Sequence, residues 1–365
     1  MRSAICLAAI VGVAGTLVAS PAPASDRNQP DGRKDSAIVT LKGPSKVRDE
    51  HRVRLRVRWR TDDGRSLSGK VSLQRRRGPE KSWHRHRTIR VRKGKATFRL
   101  RPRKSWGYRI VAPAGPTWRR DVSPPHRVKN KPRIRPVRLP KKAPRPRIQL
   151  PPQTRPKLDR FHPRIMRIPK KVWRSMTGRS WHRGCPVGRK GLRLVRMNYW
   201  GYDGYRHRGE LVVNRTIARK TVRAFRTIYR GRYPIRHMYR VDRFGWSKKL
   251  HGANDFKSMN ADNTSAFNCR GIVGRPNDLS PHALGRSIDI NTWENPYHSA
   301  RGYAPNRWWN FRSRPHRITY RSGGHPVVRA MRGAGFGWLG SADWQHFQID
   351  SAGRAYRHDG GLFGD

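Results

Sequence analysis

The stretch Ser280-Pro-His-Ala-Leu-Gly-Arg-Ser-Ile-Asp289, followed further on by Asp343-Trp-Gln-His346, decides the reading of this chain. It supplies His282, Asp289 and His346 as candidate metal ligands and Asp343 as a second carboxylate three residues before the last of them. Zinc takes histidine nitrogen and aspartate oxygen in a tetrahedral shell, and a catalytic site leaves the fourth position open. A free carboxylate beside such a centre can act as a general base. In Ser287-Ile288-Asp289-Ile290-Asn291 polar and apolar residues alternate. An extended strand there buries Ile288 and Ile290 and turns Asp289 toward a cleft. His282 and Asp289 are an odd number of positions apart, so no straight strand presents both on one face. A turn must intervene, and Gly285 is the residue that permits it. Asp343 and His346 are also an odd number apart, which predicts Asp343 in a loop leading into a short strand, His346 to Ile349.

The joint pattern S-x-H-x-x-G-x-x-x-D and D-x-x-H resembles the motif pair of the D-alanyl-D-alanine carboxypeptidase-like zinc peptidases, which include VanY-type carboxypeptidases, the VanX dipeptidase and L-alanyl-D-glutamate endolysins. Asn260 to Arg270 (NADNTSAFNCR), Cys185 to Gly188 (CPVG), Tyr199 to Gly204 (YWGYDG) and Gly209 to Asn214 (GELVVN) are similar to segments of the endolysin-like branch, so that the resemblance runs over about residues 173–351. It implies Zn2+ held by His282, Asp289 and His346, with Asp343 as the catalytic carboxylate. It implies Arg270 as the residue that steadies a substrate carbonyl or carboxylate, and peptidoglycan stem peptides as the substrate. Many relatives carry Glu where this chain has Asp343, and a small residue where it has Ser287.

Charge and the amino terminus set the surroundings. The chain has 365 residues and a formal net charge of +61, from 83 Lys plus Arg against 22 Asp plus Glu. Such a field draws polyanions in a salt-dependent way. Teichoic acids and other anionic wall polymers, anionic lipid headgroups and nucleic acid are all candidates, acting through the basic N-terminal half. Arg2, the apolar run Ala4 to Ala19 and Ala22-Pro23-Ala24 read as a secretory signal peptide over residues 1–24, and no other stretch is apolar enough to cross a membrane. The expected location is secreted, extracellular or wall-associated. Removal of the signal leaves Cys185 and Cys269, and an exported chain with two cysteines favours one disulfide over two separate buried thiols. Closing so long a loop contributes roughly 4 to 5 kcal/mol on the entropic account.

Residues 25–36 are polar and expected to be disordered. Over 37–120 short runs with period-two alternation predict a small all-β, Ig-like sandwich. The clearest is His51 to Thr61, where Val53, Leu55, Val57 and Trp59 face one way and Arg54, Arg56, Arg58 and Arg60 the other. Residues 121–172 hold 12 Pro and 17 Lys or Arg with 2 acids, which predicts an extended basic linker. The catalytic region, 173–351, reads as an α+β domain with a central antiparallel sheet, and 352–365 as a tail. Strands are expected at Leu192–Trp200, Gly209–Asn214 and Ile235–Val241. Helices are expected at Thr216–Tyr229, capped by Asn214, and at Pro326–Gly333. Glu210 reads as a structural partner for an arginine. His237, His251, His298 and His325 lack ligand spacing.

Three functions follow as expectations. The first is a secreted zinc peptidase cutting peptidoglycan stem peptides, of D-Ala-D-Ala carboxypeptidase or L-Ala-D-Glu endopeptidase type. The second is a non-catalytic wall- or polyanion-binding protein with a degenerate peptidase fold. The third is a secreted nucleic-acid-binding protein, which charge alone supports, since no motif with aromatic platforms is present.

Overall fold

The computed structural model describes residues 34–272, 275–299, 301–350 and 352–355. The expected signal peptide lies outside the described residues, as do most of 25–36 and most of the tail. Of the segment expected to be disordered, Asp35 is described, and its backbone pairs with Trp118.

The N-terminal half is built from two sheets. Strands β1 (Ala37–Lys42), β3 (Val53–Thr61) and β6 (Lys95–Leu100) form an antiparallel sheet in the order β1-β3-β6. The second sheet runs in the order β2 (Lys46–Arg48), β9 (His126–Lys131), β7 (Trp106–Ala112), β4 (Gly69–Arg76), β5 (His84–Val91), and β8 (Asp121–Val122) adds to β7. β2 and β9 are parallel, so this sheet is mixed. Burial alternates along β3 as the sequence predicts, because successive strand residues point to opposite faces. Its apolar side joins Leu73, Phe98, Ile110 and Val128 in one core shared by both sheets.

Residues 121–172, expected as an extended basic linker, are in part built into the sheets. β8 and β9 belong to the second sheet, and Val128 is fully buried in it. The rest runs extended but anchored. Arg133 and Ile134 donate backbone hydrogen bonds to Gly204 O, and Val137 to Tyr202 O. Gly204 has φ +77°, and a Cβ there would come within 2.3 Å of Ile134 O, so this crossing requires glycine. Phe161 enters the main core of the C-terminal half, and strand β10 (Arg164–Met166) pairs with Leu194–Arg196. The anchoring residues are too far apart to produce any periodicity, whereas the prolines and charges dominate the composition.

The C-terminal half has two three-stranded antiparallel sheets, besides smaller two-stranded ones, where one central sheet was expected. The first is β10, β11 (Leu192–Trp200) and β12 (Arg206–Asn214). The second places the strand His346–Gln348 between Ser287–Asp289 and Gly337–Trp338. Helices α1 (Lys170–Met176), α2 (Ala218–Arg230), α3 (Asp255–Asn260) and α4 (Pro326–Arg332) complete the secondary structure of note. Side chains from both sheets and from α2 and α4, including Met197, Phe225, Ile288, Val328 and Phe347, form one core. Among the described residues no helix is long and apolar enough to cross a membrane.

Two local expectations change. Ile235–Val241 is not a strand. Side-chain amides take up part of its polar backbone: Gln153 bonds both Met238 N and O, and Asn263 bonds both Tyr239 N and O. Asn214 does not cap α2, which begins after Ile217 with no side-chain cap. Instead its Oδ1 accepts from Thr216 N and Oγ1, and its Nδ2 donates to Leu284 O. Cys185 and Cys269 are joined in a disulfide with Cα atoms 6.0 Å apart.

A buried ion pair joins the two halves. Glu50, on the turn after β2, bonds Arg206 at the start of β12, and both side chains are almost fully enclosed. Removing one partner of such a pair strands the other charge without water. Glu50→Ala should therefore destabilise the fold by ~3–5 kcal/mol. Thermal melting followed by circular dichroism checks this, and an unchanged midpoint would show that Arg206 is hydrated or paired elsewhere.

Candidate metal centre

The site is assembled by a turn, a strand and a backing loop. Ser280 opens a 3-10 turn over Pro281–Leu284, and its Oγ accepts from His282 N. Gly285 ends the turn with φ +65°, and a Cβ there would sit 2.9 Å from Asn214 N. A left-handed residue pressed against another backbone excludes a side chain, which explains glycine at this point. The chain then enters Ser287–Asp289. Antiparallel register places Asp289 opposite His346 and Ile288 opposite Phe347. Behind them runs the NADNTSAFNCR segment: Ser265 and Asp289 exchange both backbone hydrogen bonds at 3.0 Å.

The three predicted ligands meet. His282 Nε2, His346 Nδ1 and the Asp289 carboxylate all lie within 4.8 Å of one another, and all three side chains are buried. His282 Nε2 is 3.2 Å from Asp289 Oδ2, His346 Nδ1 is 2.9 Å from Asp289 Oδ1, and the two ring nitrogens are 3.2 Å apart. The outer nitrogens also have partners. His282 Nδ1 donates to Ala266 O at 2.7 Å, and His346 Nε2 to Gln348 Oε1 at 3.0 Å. With protons held on the outside, both lone pairs point inward beside a carboxylate. Buried ring nitrogens cannot satisfy each other in that state, whereas a divalent cation accepts from all three. The donor set therefore fits zinc.

Electrostatics agree with that fit. Burial alone would raise the Asp289 carboxyl, but the charge and hydrogen bonds of His282 and His346 hold it well below the usual carboxylate range. Burial would lower His282, and the Asp289 charge outweighs it and raises the ring. Both shifts mean that the pocket favours positive charge between carboxylate and rings.

Asp343 ends a short 3-10 turn over Gly340–Ala342 and leads into the His346 strand, as the odd spacing requires. Its carboxyl is pushed up to about 7, chiefly by burial, with the Asp289 charge adding and His346 opposing. Oδ1 has no hydrogen-bond partner among the described residues. Arg270 is buried and already engaged. Its Nη2 bonds Asp255 Oδ2 at 2.7 Å and its Nη1 bonds Gly271 O, leaving Nε without a partner. It lies beside Cys269, so the disulfide fixes the chain at that point.

Other sequence candidates find structural partners. Glu210 bonds Arg196 and Arg240. His325 caps α4 by accepting from Val327 N. A second cluster, His182, Cys185 and Cys269, has its sulfurs in the disulfide and so offers no thiolate. Sequence reading missed three groups. Gln348 stands two residues past His346 on one strand, and that spacing was a usable signal. Asp255, the partner of Arg270, had none. Tyr297 pairs its backbone with Asp343, and burial, with Asp255 and Asp343 adding, pushes its hydroxyl up to about 12, so it stays protonated.

Residues 273–349 match the family model of the D-alanyl-D-alanine carboxypeptidases. The match confirms the resemblance over this C-terminal stretch, shorter than the 173–351 drawn from motifs. It takes in His282, Asp289, Asp343 and His346, while Arg270 and both cysteines precede it. No curated protein matches the chain significantly. Some solved structures are similar in part. A superoxide reductase (neelaredoxin) from Ignicoccus hospitalis is 14% identical, covering 26% of this chain and 80% of its own, with a TM-score of 0.21. A putative superoxide reductase from Thermotoga maritima is 7% identical over 27% and 88%, at 0.22. The sulfur carrier protein SoxY from Chlorobium limicola f thiosulfatophilum is 17% identical over 26% and 78%, at 0.18. Scores this low carry no argument about fold or function.

His282→Ala, Asp289→Ala and His346→Ala should each abolish stoichiometric zinc binding. Gln348→Leu, which removes the acceptor that orients His346, should weaken zinc affinity roughly 10- to 100-fold while leaving the fold intact. Competition with a chromophoric chelator reads both effects. Full zinc retention in any of the three alanine variants would remove that residue from the ligand set.

Proposed function

We propose that this protein is a zinc-dependent peptidase that hydrolyses stem-peptide bonds of peptidoglycan, exported to the wall by its N-terminal signal. One observation carries the reading: two histidines and an aspartate converge in a buried cluster, with the raised carboxyl of Asp343 beside it, inside the stretch that matches the carboxypeptidase family model. His282, Asp289 and His346 would hold the ion. Bound there, zinc supplies Lewis acidity toward water and the scissile carbonyl.

The chain's own groups do the rest. Burial favours the protonated form of the Asp343 carboxyl, which suits a group that takes up a proton and gives it back. Asp343 thus takes the proton of the attacking water at a carboxylate oxygen and returns it to the leaving amine nitrogen. Being shorter than Glu, it must stand closer to the reacting water. Arg270, aimed by Asp255, contributes positive charge to the developing oxyanion or to a terminal carboxylate of the substrate. The Ig-like reading of the N-terminal sheets belongs with this proposal: a small all-β module carried ahead of a wall-directed enzyme.

Asp343→Asn should keep zinc and lose turnover by roughly 100-fold or more, as removal of a general base requires. The measurement is digestion of defined muropeptides followed by mass spectrometry, which also distinguishes release of terminal D-Ala from cleavage between L-Ala and D-Glu. Wild-type protein loaded with zinc that leaves every muropeptide intact would favour the non-catalytic binding reading instead.

A further inference from the structure

The outer face of the sheet β1-β3-β6 carries charge in an arrangement that solubility does not require. Along the central strand, Arg54, Arg56, Arg58 and Arg60 occupy four successive outward positions, and all are exposed. The flanking strands answer with more cations. Lys42 stands directly opposite Arg56. Lys95 stands opposite Arg58, and Arg99 opposite Arg54. All three flanking cations are exposed. Like charges directly across a sheet destabilise it, and a soluble surface is better served by mixed signs. None of the three strands contains an acidic residue. Among the described residues no carboxylate pairs with any of these seven cations, although Arg65, Arg101 and Arg103 nearby are all paired. The ladder is thus left uncompensated where neighbouring arginines are not.

Its geometry suits a linear polyanion. Outward residues on one strand repeat at roughly 7 Å, and adjacent strands lie about 4.8 Å apart. A chain lying along β3 would meet a guanidinium at each repeat and a second cation beside three of them. Guanidinium groups bind phosphate oxygens bidentately. The face also lacks a feature that single-stranded nucleic acid uses. Its remaining outward residues are Ile38, Thr40 and Thr97, so no aromatic ring offers a base a stacking platform.

We infer that the outer face of β1-β3-β6 is a binding site for a linear phosphodiester polymer without bases, a polyol phosphate, laid along the arginines of β3. This site stands apart from the metal cluster and does not depend on the peptidase reading.

The test uses the full chain and a fluorescently labelled poly(glycerol phosphate) as probe, with single- and double-stranded DNA of matched phosphate count beside it. One variant carries Arg54→Gln, Arg56→Gln, Arg58→Gln and Arg60→Gln. A control of equal charge change carries Arg215→Gln, Arg219→Gln, Arg230→Gln and Arg329→Gln, all exposed on the catalytic region. The ladder variant should bind the probe at least tenfold more weakly near 0.1 M salt, and its log Kd against log salt slope should fall by about 3 to 4, close to one per lost phosphate contact. The control should stay within about twofold of wild type, since those arginines lie off the site. The ladder variant should also melt no lower than wild type, because removing facing like charges relieves repulsion. Equal losses in ladder variant and control would overturn the site in favour of diffuse charge. A lower melting point with unchanged probe binding would assign the ladder to the fold. DNA of either form binding more tightly than the probe, with the same loss in the ladder variant, would overturn the choice of polymer.

Discussion

The placement of two protons governs the candidate centre. His282 and His346 both spend their outer N–H on a fixed acceptor, Ala266 O and Gln348 Oε1. Their inner nitrogens face each other and an ionised carboxylate at hydrogen-bond distance. That state is stable in a buried pocket only with positive charge at its middle. Much of the surrounding structure serves to hold it. The left-handed turn at Gly285 swings the chain from His282 toward Asp289. Antiparallel register sets Asp289 against His346. The backbone exchange between Ser265 and Asp289 brings Ala266 O to the ring that needs it. Asn214, bonded to Leu284 O, ties the turn to the end of β12 and so to the core beneath.

What could be read in the sequence was what chemistry and periodicity print locally. His282, Asp289, Asp343 and His346 stand out because their joint spacing resembles a known motif pair, and the structure brings His282, Asp289 and His346 together. β3 was legible because strict alternation survives in a single strand, whereas β11 shows only an apolar majority interrupted by Arg193, Arg196 and Asn198. The illegible parts depend on partners far away in the chain. Nothing in Ile235–Val241 reveals that Gln153 and Asn263 will take up much of its backbone where a continuous strand pairing was expected. Asn214 has the residue type of a cap, but Leu284 and Thr216 compete for its side chain and win. Nothing near Arg270 in the sequence marks Asp255, fifteen residues earlier, as the carboxylate that orients its guanidinium.

The segment 132–169 shows the limit of composition most clearly. Its prolines and basic residues describe an extended chain, and the chain is extended. Composition says nothing about whether such a chain floats or lies against a surface. Here Ile134, Ala143, Phe161 and Ile168 are each buried, the Gln153 side chain bonds Tyr199 OH and the Met238 backbone, and its carbonyl oxygen accepts from His207 Nδ1. Four isolated apolar anchors in a proline-rich run suffice to make it part of the body.

The enclosed Glu50–Arg206 pair bears on how such a chain can diversify. A module exchanged by recombination must leave behind a surface that tolerates water. Lifting the N-terminal sheets away would expose a cation at the start of β12 whose counter-charge belongs to the departing piece. The two halves are therefore bound to a common evolutionary history: substitutions at one face constrain those at the other, and a lineage can reshape the basic module residue by residue more readily than replace it whole.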